Sequence, residues 1–542
     1  MVKKHIDTNQ EKNLGDKIGK AFNLISLPVG TTFGPGGQNV LLKNMADMPL
    51  ITKDGVTVAE NIEVEDEALN LVISIIKEAA SKTNREAGDG TTTAIVLAHE
   101  IYKEGMKFIA AGHKPVMIQR QIQSYINRVI TSLNEMAIKV EEGNRTDILK
   151  KIASISMNGE TEISDIVAEA VAGLGINSAI TAQGSTNGKN HWYRVKGLKM
   201  NRGWTARSFC RESNTNKIIF EEPYILLTSH MLESPKQFSD LSALFETIAE
   251  KRKPILIISS GVTAGFLKYL LYHLNSGALV SCPTMPPYFG IVRYEFFKDL
   301  AAVTGARIIE EAQDELAAVK LEHLGVADMV EITDSSTVIM GGRGDDLAIA
   351  RRKKYLESVL PKPGERDLDH VVERLSMLTG GVGTIEIAHS SHIELEEKKH
   401  RVEDACNACK AALQEGFLPG GGAGLLRAVE RDSQNLKDDV GYKIISGSVK
   451  GLIKRMCENA GLAGDMVIDK LLKSEENKTI DISKPDYETK DAIEIGVIDP
   501  IKVTCCALAN SASIAASLLT TGAIISDIPA KNNGVLEPYM PA

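Results

Sequence analysis

Ala87-Gly88-Asp89-Gly90-Thr91-Thr92-Thr93-Ala94 is the stretch on which the reading of this chain turns. Upstream, Leu69, Val72, Ile73, Ile76 and Ala80 recur at the spacing of one buried helical face, which predicts a helix over 67–86. Downstream, a second helix is predicted over about 91–111, stopped by Gly112 and Pro115. Free N–H groups at the start of that second helix, with its dipole, make an anion site. Glycine lets the backbone come close to a phosphate, and the threonine hydroxyls add donors. Asp89 offers a hard oxygen suited to magnesium, which takes one or two carboxylates plus phosphate oxygens. Read alone, a capped helix start after a tight turn accounts for the segment equally well.

Other segments carry similar chemistry. Thr32-Phe33-Gly34-Pro35-Gly36-Gly37 is a glycine loop able to wrap a phosphate chain; a plain loop is the commoner explanation. In Thr52-Lys53-Asp54-Gly55, Asp-Gly favours a turn, and Asp54 could touch a metal or orient a water. Asp404, in Arg401-Val402-Glu403-Asp404-Ala405, is either a solvated helix residue or a base that polarises water for attack on a γ-phosphate. Gly420-Gly421-Gly422 permits close approach to a ring or a ribose, or serves as a hinge. Asp499 precedes a Pro-started helix and is a candidate cap. No Walker loop, kinase set or Ser/His/Asp order is present.

The chain has 542 residues, a prior of about three or four domains. Its formal net charge of -9 argues against nucleic acid as the main partner. No apolar run reaches the ~18 residues of a membrane span, and the N-terminus lacks an apolar core of the signal-peptide type; a cytoplasmic protein is expected. Seven cysteines, irregularly placed, do not suggest a disulfide framework. Cys406 and Cys409 form the single C-x-x-C, read as packing on a helix rather than as a metal site.

Helices are predicted over 67–137, with a strand at 39–42. Strands at 224–228 and 255–259, helices at 238–251 and 264–275, and further alternation to about 338 suggest an α/β unit. The segment 361–377 reads as a charged helix, and helices return from 393. The order is helical, mixed, helical, which suits a mixed segment inserted into a domain built from both ends.

Taken jointly, TTFGPGGQNVLL, ITKDGVTVAENIEVED, AGDGTTTAIVLA, KKHRVEDACNA, LPGGGAG and GVIDPIKVT resemble the group I chaperonin family, in the family's order and across the whole chain. The resemblance implies a multidomain chaperonin fold. A mostly α equatorial ATP-binding domain would comprise 1–137 and 415–542, a small α/β intermediate domain 138–195 and 383–414, and an inserted α/β apical domain 196–382. It implies an ATP-dependent ring that binds non-native proteins and encloses them, with a non-hydrolysing holdase of the same fold as the rival.

By the same resemblance, Thr32, Gly34, Pro35, Lys53, Asp89, Gly90, Thr91, Thr92, Thr93, Gly421 and Asp499 bind nucleotide. Asp89 holds Mg2+, Asp54 and Asp404 are catalytic, and Thr32 and Thr92 fall at a K+ site. Trp204, Phe209, Leu241, Phe245, Leu267, Leu271 and Tyr272 match the apolar client rim, with core packing as the alternative. Implied partners are clients, copies of the same chain in a seven-membered ring, and a co-chaperonin lid; neither nucleic acid nor membrane is implied.

The chain departs from the family at several places. Gly36 stands for the usual lysine, Ile482-Ser483-Lys484-Pro485 replaces the stretch that contacts the base, and Ser208 and Ser242 interrupt the rim. Lys454 and Ala463 stand where a charged pair bridges stacked rings, and the Gly-Gly-Met tail is replaced by LEPYMPA. These mark a divergent member, a paralogue or one encoded by a large virus.

Overall fold

The computed structural model describes residues 4–8, 14–43, 49–157, 159–176, 179–185, 188–195, 197–210, 217–359, 369–431 and 433–527. The chain divides into two compact units, Met1–Ala168 with His389–Ala542, and Glu169–Ala388. The divergent tail lies outside the described residues.

The first unit is built around the helix Thr91–Ala110, packed against Leu14–Thr31, Glu67–Ala87, Val440–Asn459 and Ile501–Leu519. Ile95, Leu97, Ala98 and Ile101 on it are fully buried. Its start is fixed by its neighbour's end. Asp66 caps Glu67–Ala87 by accepting from the Ala68 and Leu69 N–H groups, and Gly88, at φ 75°, closes that helix in the left-handed conformation. Pro115 opens the next helix, Pro115–Met136.

Among the described residues, four two-stranded sheets complete the unit. Lys4–Thr8 pairs with Ala523–Asp527, joining the two ends of the chain, and Val40–Lys43 pairs with Pro49–Thr52 in a hairpin. Phe417–Pro419 pairs with Ile498–Pro500, and Lys478–Ile480 with Thr489–Asp491.

One sequence expectation needs correction. Ile501–Leu519 is long and apolar enough to qualify as a membrane span by length and composition. Half of it is buried against the helices Glu67–Ala87, Thr91–Ala110 and Pro115–Met136, and its apolar character is that of a core helix. Ser511 Oγ donates to the Ala94 carbonyl at 2.9 Å, a contact that small residues allow.

The second unit carries a five-stranded sheet in which Ser281–Thr284, Ile255–Val262, Tyr224–Leu232 and Ile308–Ile309 run parallel in that spatial order. Gly325–Val326 adds antiparallel to Tyr224–Leu232. Helices Pro235–Asp240, Ser242–Glu250 and Ala264–Asn275 make the crossovers, as the alternation of patterns suggested. An antiparallel sheet orders Gly197–Met200, Thr337–Met340, Met329–Ile332 and Ile218–Glu221; a three-stranded sheet places Val382–Ile387 between Ala179–Gly184 and His191–Val195. Asp299 is fully buried and neutralised by Arg352 Nε at 2.8 Å and Arg374 Nε at 2.6 Å. Arg374 belongs to the helix Asp369–Gly380; the first eight residues of the expected 361–377 helix lie outside the described residues.

Candidate functional site

The Gly88-Asp89-Gly90 loop follows one helix and opens another. Gly90, at φ 92°, is the N-cap of Thr91–Ala110, and among the described residues no side chain caps that helix. Its first-turn N–H groups are therefore left for an anion. The Lys53-Asp54-Gly55 turn lies directly on this start, because a Cβ on Gly55 would come 2.1 Å from Thr92 Oγ1. Asp54 is held rigidly there. Its carboxylate caps the short helix Gly55–Glu60, accepting from the Val56 N–H at 3.1 Å, the Thr57 N–H at 2.9 Å and Thr57 Oγ1 at 2.6 Å.

The 32–37 loop is set by the end of the helix Val440–Asn459. Asn459 Nδ2 donates to the Gly30 carbonyl at 2.7 Å and the Phe33 carbonyl at 2.8 Å. Thr32 is buried and donates from Oγ1 to the Val29 carbonyl at 2.8 Å, and Pro35 is exposed. At Gly36 a Cβ would stand 2.5 Å from the Asn459 carbonyl oxygen and 2.6 Å from the Ala460 backbone.

Asp404 arrives on the helix His392–Glu415, which packs on Arg145–Ser156. Three residues on, Asn407 Nδ2 donates to the Gly88 carbonyl at 3.2 Å. One turn before, Arg401 pairs with Glu160 at 3.2 Å. Burial, and then the negative charges of Asp89, Asp54 and Glu403, hold the Asp404 carboxyl well above the usual carboxylate range. Burial likewise pushes Asp89 up to about 6, opposed by the Gly90 N–H and reinforced by Asp54. Asp54, Asp89 and Asp404 therefore lie within electrostatic reach of one another.

A fourth carboxylate joins them. Leu418 and Asp499 are partners in the strand pair, and Asp499 accepts from the Gly421 and Gly422 N–H groups. Burial raises its pKa to about 6 against those bonds, with Asp89 adding to the rise. Its expected role as a cap is not what the structure shows: Pro500 is the N-cap of Ile501–Leu519, and Asp499 faces the glycines instead. Thr479 Oγ1 fixes the Gly420 carbonyl at 2.8 Å. The substituted stretch beside it buries Ile482 and leaves Ser483, Lys484 and Pro485 exposed. The Ser483 hydroxyl and Lys484 Nζ both bind Asp481.

Four carboxylates from four separated stretches, beside uncapped helix N–H groups, call for a cation and an anion together. Among the described residues no group of three or more His, Cys, Asp or Glu side chains is arranged to hold a metal ion. A single carboxylate, Asp89, partly accessible and surrounded by like charge, fits Mg2+ held jointly with phosphate oxygens.

The TCP-1/cpn60 chaperonin family model matches residues 25–529. The chain belongs to this family. Among solved structures, the chaperonin gp146 from the Pseudomonas aeruginosa bacteriophage EL, crystallised in the presence of ATP-BeFx, is similar over 95% of this chain and 98% of that one. The two are 23% identical, with a TM-score of 0.65, a likeness of fold. This chaperonin is thus a multidomain α and α/β protein of the chaperonin fold, as its motifs implied.

The rim assignments of this chaperonin need revision. Phe209, Leu241 and Phe245 are buried in the core of the second unit and present no surface here. The sequence suggested one helix over 238–251; the structure has two, Pro235–Asp240 and Ser242–Glu250, meeting at Leu241. Trp204, Leu267 and Leu271 are half-buried, and Tyr272 is 70% exposed. An unforeseen aromatic cluster joins the helices: Phe238 packs against Phe245, Phe266, Tyr269 and His273.

Cys406 and Cys409 are free and buried, and burial pushes Cys406 up to about 12, in line with packing. Asn407 and Asn459, which brace the two loops, were missed. Nothing local marks an Asn whose partner lies hundreds of residues away.

Proposed function

We propose that this chaperonin is an ATPase that uses hydrolysis to capture and release non-native proteins inside a ring. The observation that carries the reading is the convergence of Asp54, Asp89 and Asp404 on the uncapped start of Thr91–Ala110. In this reading the helix N–H groups, the Thr91, Thr92 and Thr93 hydroxyls and the 32–37 loop bind the triphosphate, with Lys53 adding positive charge. Gly421 and Asp499 meet the ribose and base. Asp89 would hold Mg2+, which would neutralise charge building on the phosphate oxygens. Asp54, already fixed by its three bonds, orients the attacking water, and Asp404 takes up its proton. K+ at Thr32 and Thr92 is part of the same proposal.

The three-domain division given by the resemblance is retained as part of this proposal, with apical motion driven by the different affinities of ATP for the two ring states. Apolar side chains exposed on the 264–275 helix, Tyr269 and Tyr272, with half-buried Leu267 and Leu271, form the client surface. Ring assembly, seven-membered by resemblance, is supported by the first unit's two-stranded sheets. Leu41, Ile51 and Ile525 are exposed on them, and their edges suit strand addition between copies in the cytoplasm. Ring stacking is weak, because Lys454 is paired within its own chain to Asp465 at 2.7 Å. Particle images with and without ATP that show only stable double rings would refute that part.

The discriminating experiment is steady-state phosphate release by the full-length protein with Mg-ATP. Wild type is expected to exceed Asp404→Ala by at least ~100-fold, the scale of a lost general base. Equal rates would favour a holdase that binds clients without hydrolysis.

A further inference from the structure

We propose that Asn407 is a positioning residue of the ATPase, fastening the helix that carries Asp404 to the loop that carries Asp89; this rests on the roles given to those carboxylates above. Asp404 and Asn407 are three positions apart on the helix His392–Glu415 and so share a face. Asn407 is half-buried, and its Nδ2 donates to the Gly88 carbonyl at 3.2 Å. Gly88 closes its helix at φ 75°, where its carbonyl has no partner in the helix it ends. The fit is close: a Cβ on Gly88 would come 2.4 Å from Asn407 Cβ and 2.7 Å from its Nδ2.

The geometry gives this contact its role: Asp404 lies one turn from Asn407 on the same helix, so the bond to the Gly88 carbonyl sets how closely Asp404 approaches the loop that carries Asp89. Arg401, tied to Glu160, restrains the helix one turn away and does not reach the loop. The Asn407 amide is neutral, donates to the loop backbone, and adds no charge to the cluster. It keeps Asp404 near Asp89 while leaving the phosphate-binding N–H groups untouched. The expected signature is a loss in turnover without a loss in nucleotide binding.

The test uses full-length Asn407→Ala, Asn407→Asp and Asn407→His, with ATP affinity, KM and kcat measured for each. Asn407→Ala is expected to lower kcat about tenfold, with Kd and KM for ATP within twofold of wild type. Asn407→Asp lowers kcat at least as far, since a carboxylate cannot donate to the Gly88 carbonyl. Asn407→His places Nδ1 as many bonds from the backbone as the asparagine Nδ2, and restores kcat to within about threefold. An unchanged kcat in Asn407→Ala, a Kd that rises with the fall in kcat, or a His variant no better than Ala would overturn the proposal. If Asp404→Ala hydrolyses ATP as fast as wild type, the ATPase reading itself falls, whatever Asn407 does.

Discussion

Replacing Asp89 by asparagine should remove hydrolysis and, in the nucleotide-free protein, raise stability. The folded chain holds the Asp89 carboxyl at about 6 against an ordinary 3.8. That difference puts a penalty of about 3 kcal/mol on the ionised form. The sign follows from proton linkage: the folded state binds the proton more tightly, so the penalty is absent below 3.8, grows as pH rises towards 6, and is complete above it. Asp89→Asn removes the charge and keeps an oxygen for the Gly90 N–H. The variant's advantage should approach 3 kcal/mol at pH 7.5 and fall to roughly half at pH 5. Tryptophan fluorescence is the wrong probe, since Trp192 and Trp204 both lie in the other unit. Hydrogen exchange in peptides from Thr91–Ala110, measured in EDTA without nucleotide, reports the affected helix. A variant no more protected than wild type at pH 7.5, or an advantage that does not change with pH, would refute the argument.

Gly55→Ala forces a Cβ to 2.1 Å from Thr92 Oγ1 and should lower ATP affinity at least tenfold, whereas Gly143→Ala, with open space around it, should leave affinity unchanged; isothermal titration separates the two. In the second unit, Leu241→Ala should cost about 2–5 kcal/mol by opening a cavity at a fully buried site, seen as a lowered unfolding midpoint. Tyr272→Ser should leave that midpoint within ~0.5 kcal/mol and instead weaken capture of a denatured client.

Local signals reached far in the first unit. The helix expected over 67–86 is observed as Glu67–Ala87, because an apolar stripe, an Asp cap and a Gly stop all act within one element. The two-glycine loop that follows was legible for the same reason. The rim was not. Periodicity marks a helix's apolar face without saying what covers it: Phe238 and Phe245 do share a face, as their seven-residue spacing implies, and that face packs into the core of the unit. Residue type and position singled out Asp499 but not its partners, since its bonds to Gly421 and Gly422 depend on a strand pairing across the unit. Asn407 was invisible for an allied reason: its partner is 319 residues away.

Gly36 has a longer history written into it than its size suggests. The atoms a side chain would strike there are the main chain of Asn459 and Ala460, which no rotamer change can clear. A side chain cannot be placed there by one substitution; the end of the helix must retreat first, and by itself that retreat would loosen the asparagine holding the loop. Each step alone is worse than staying. Any larger residue at this position therefore needs two coordinated changes, and the loop is closed there to single-step drift.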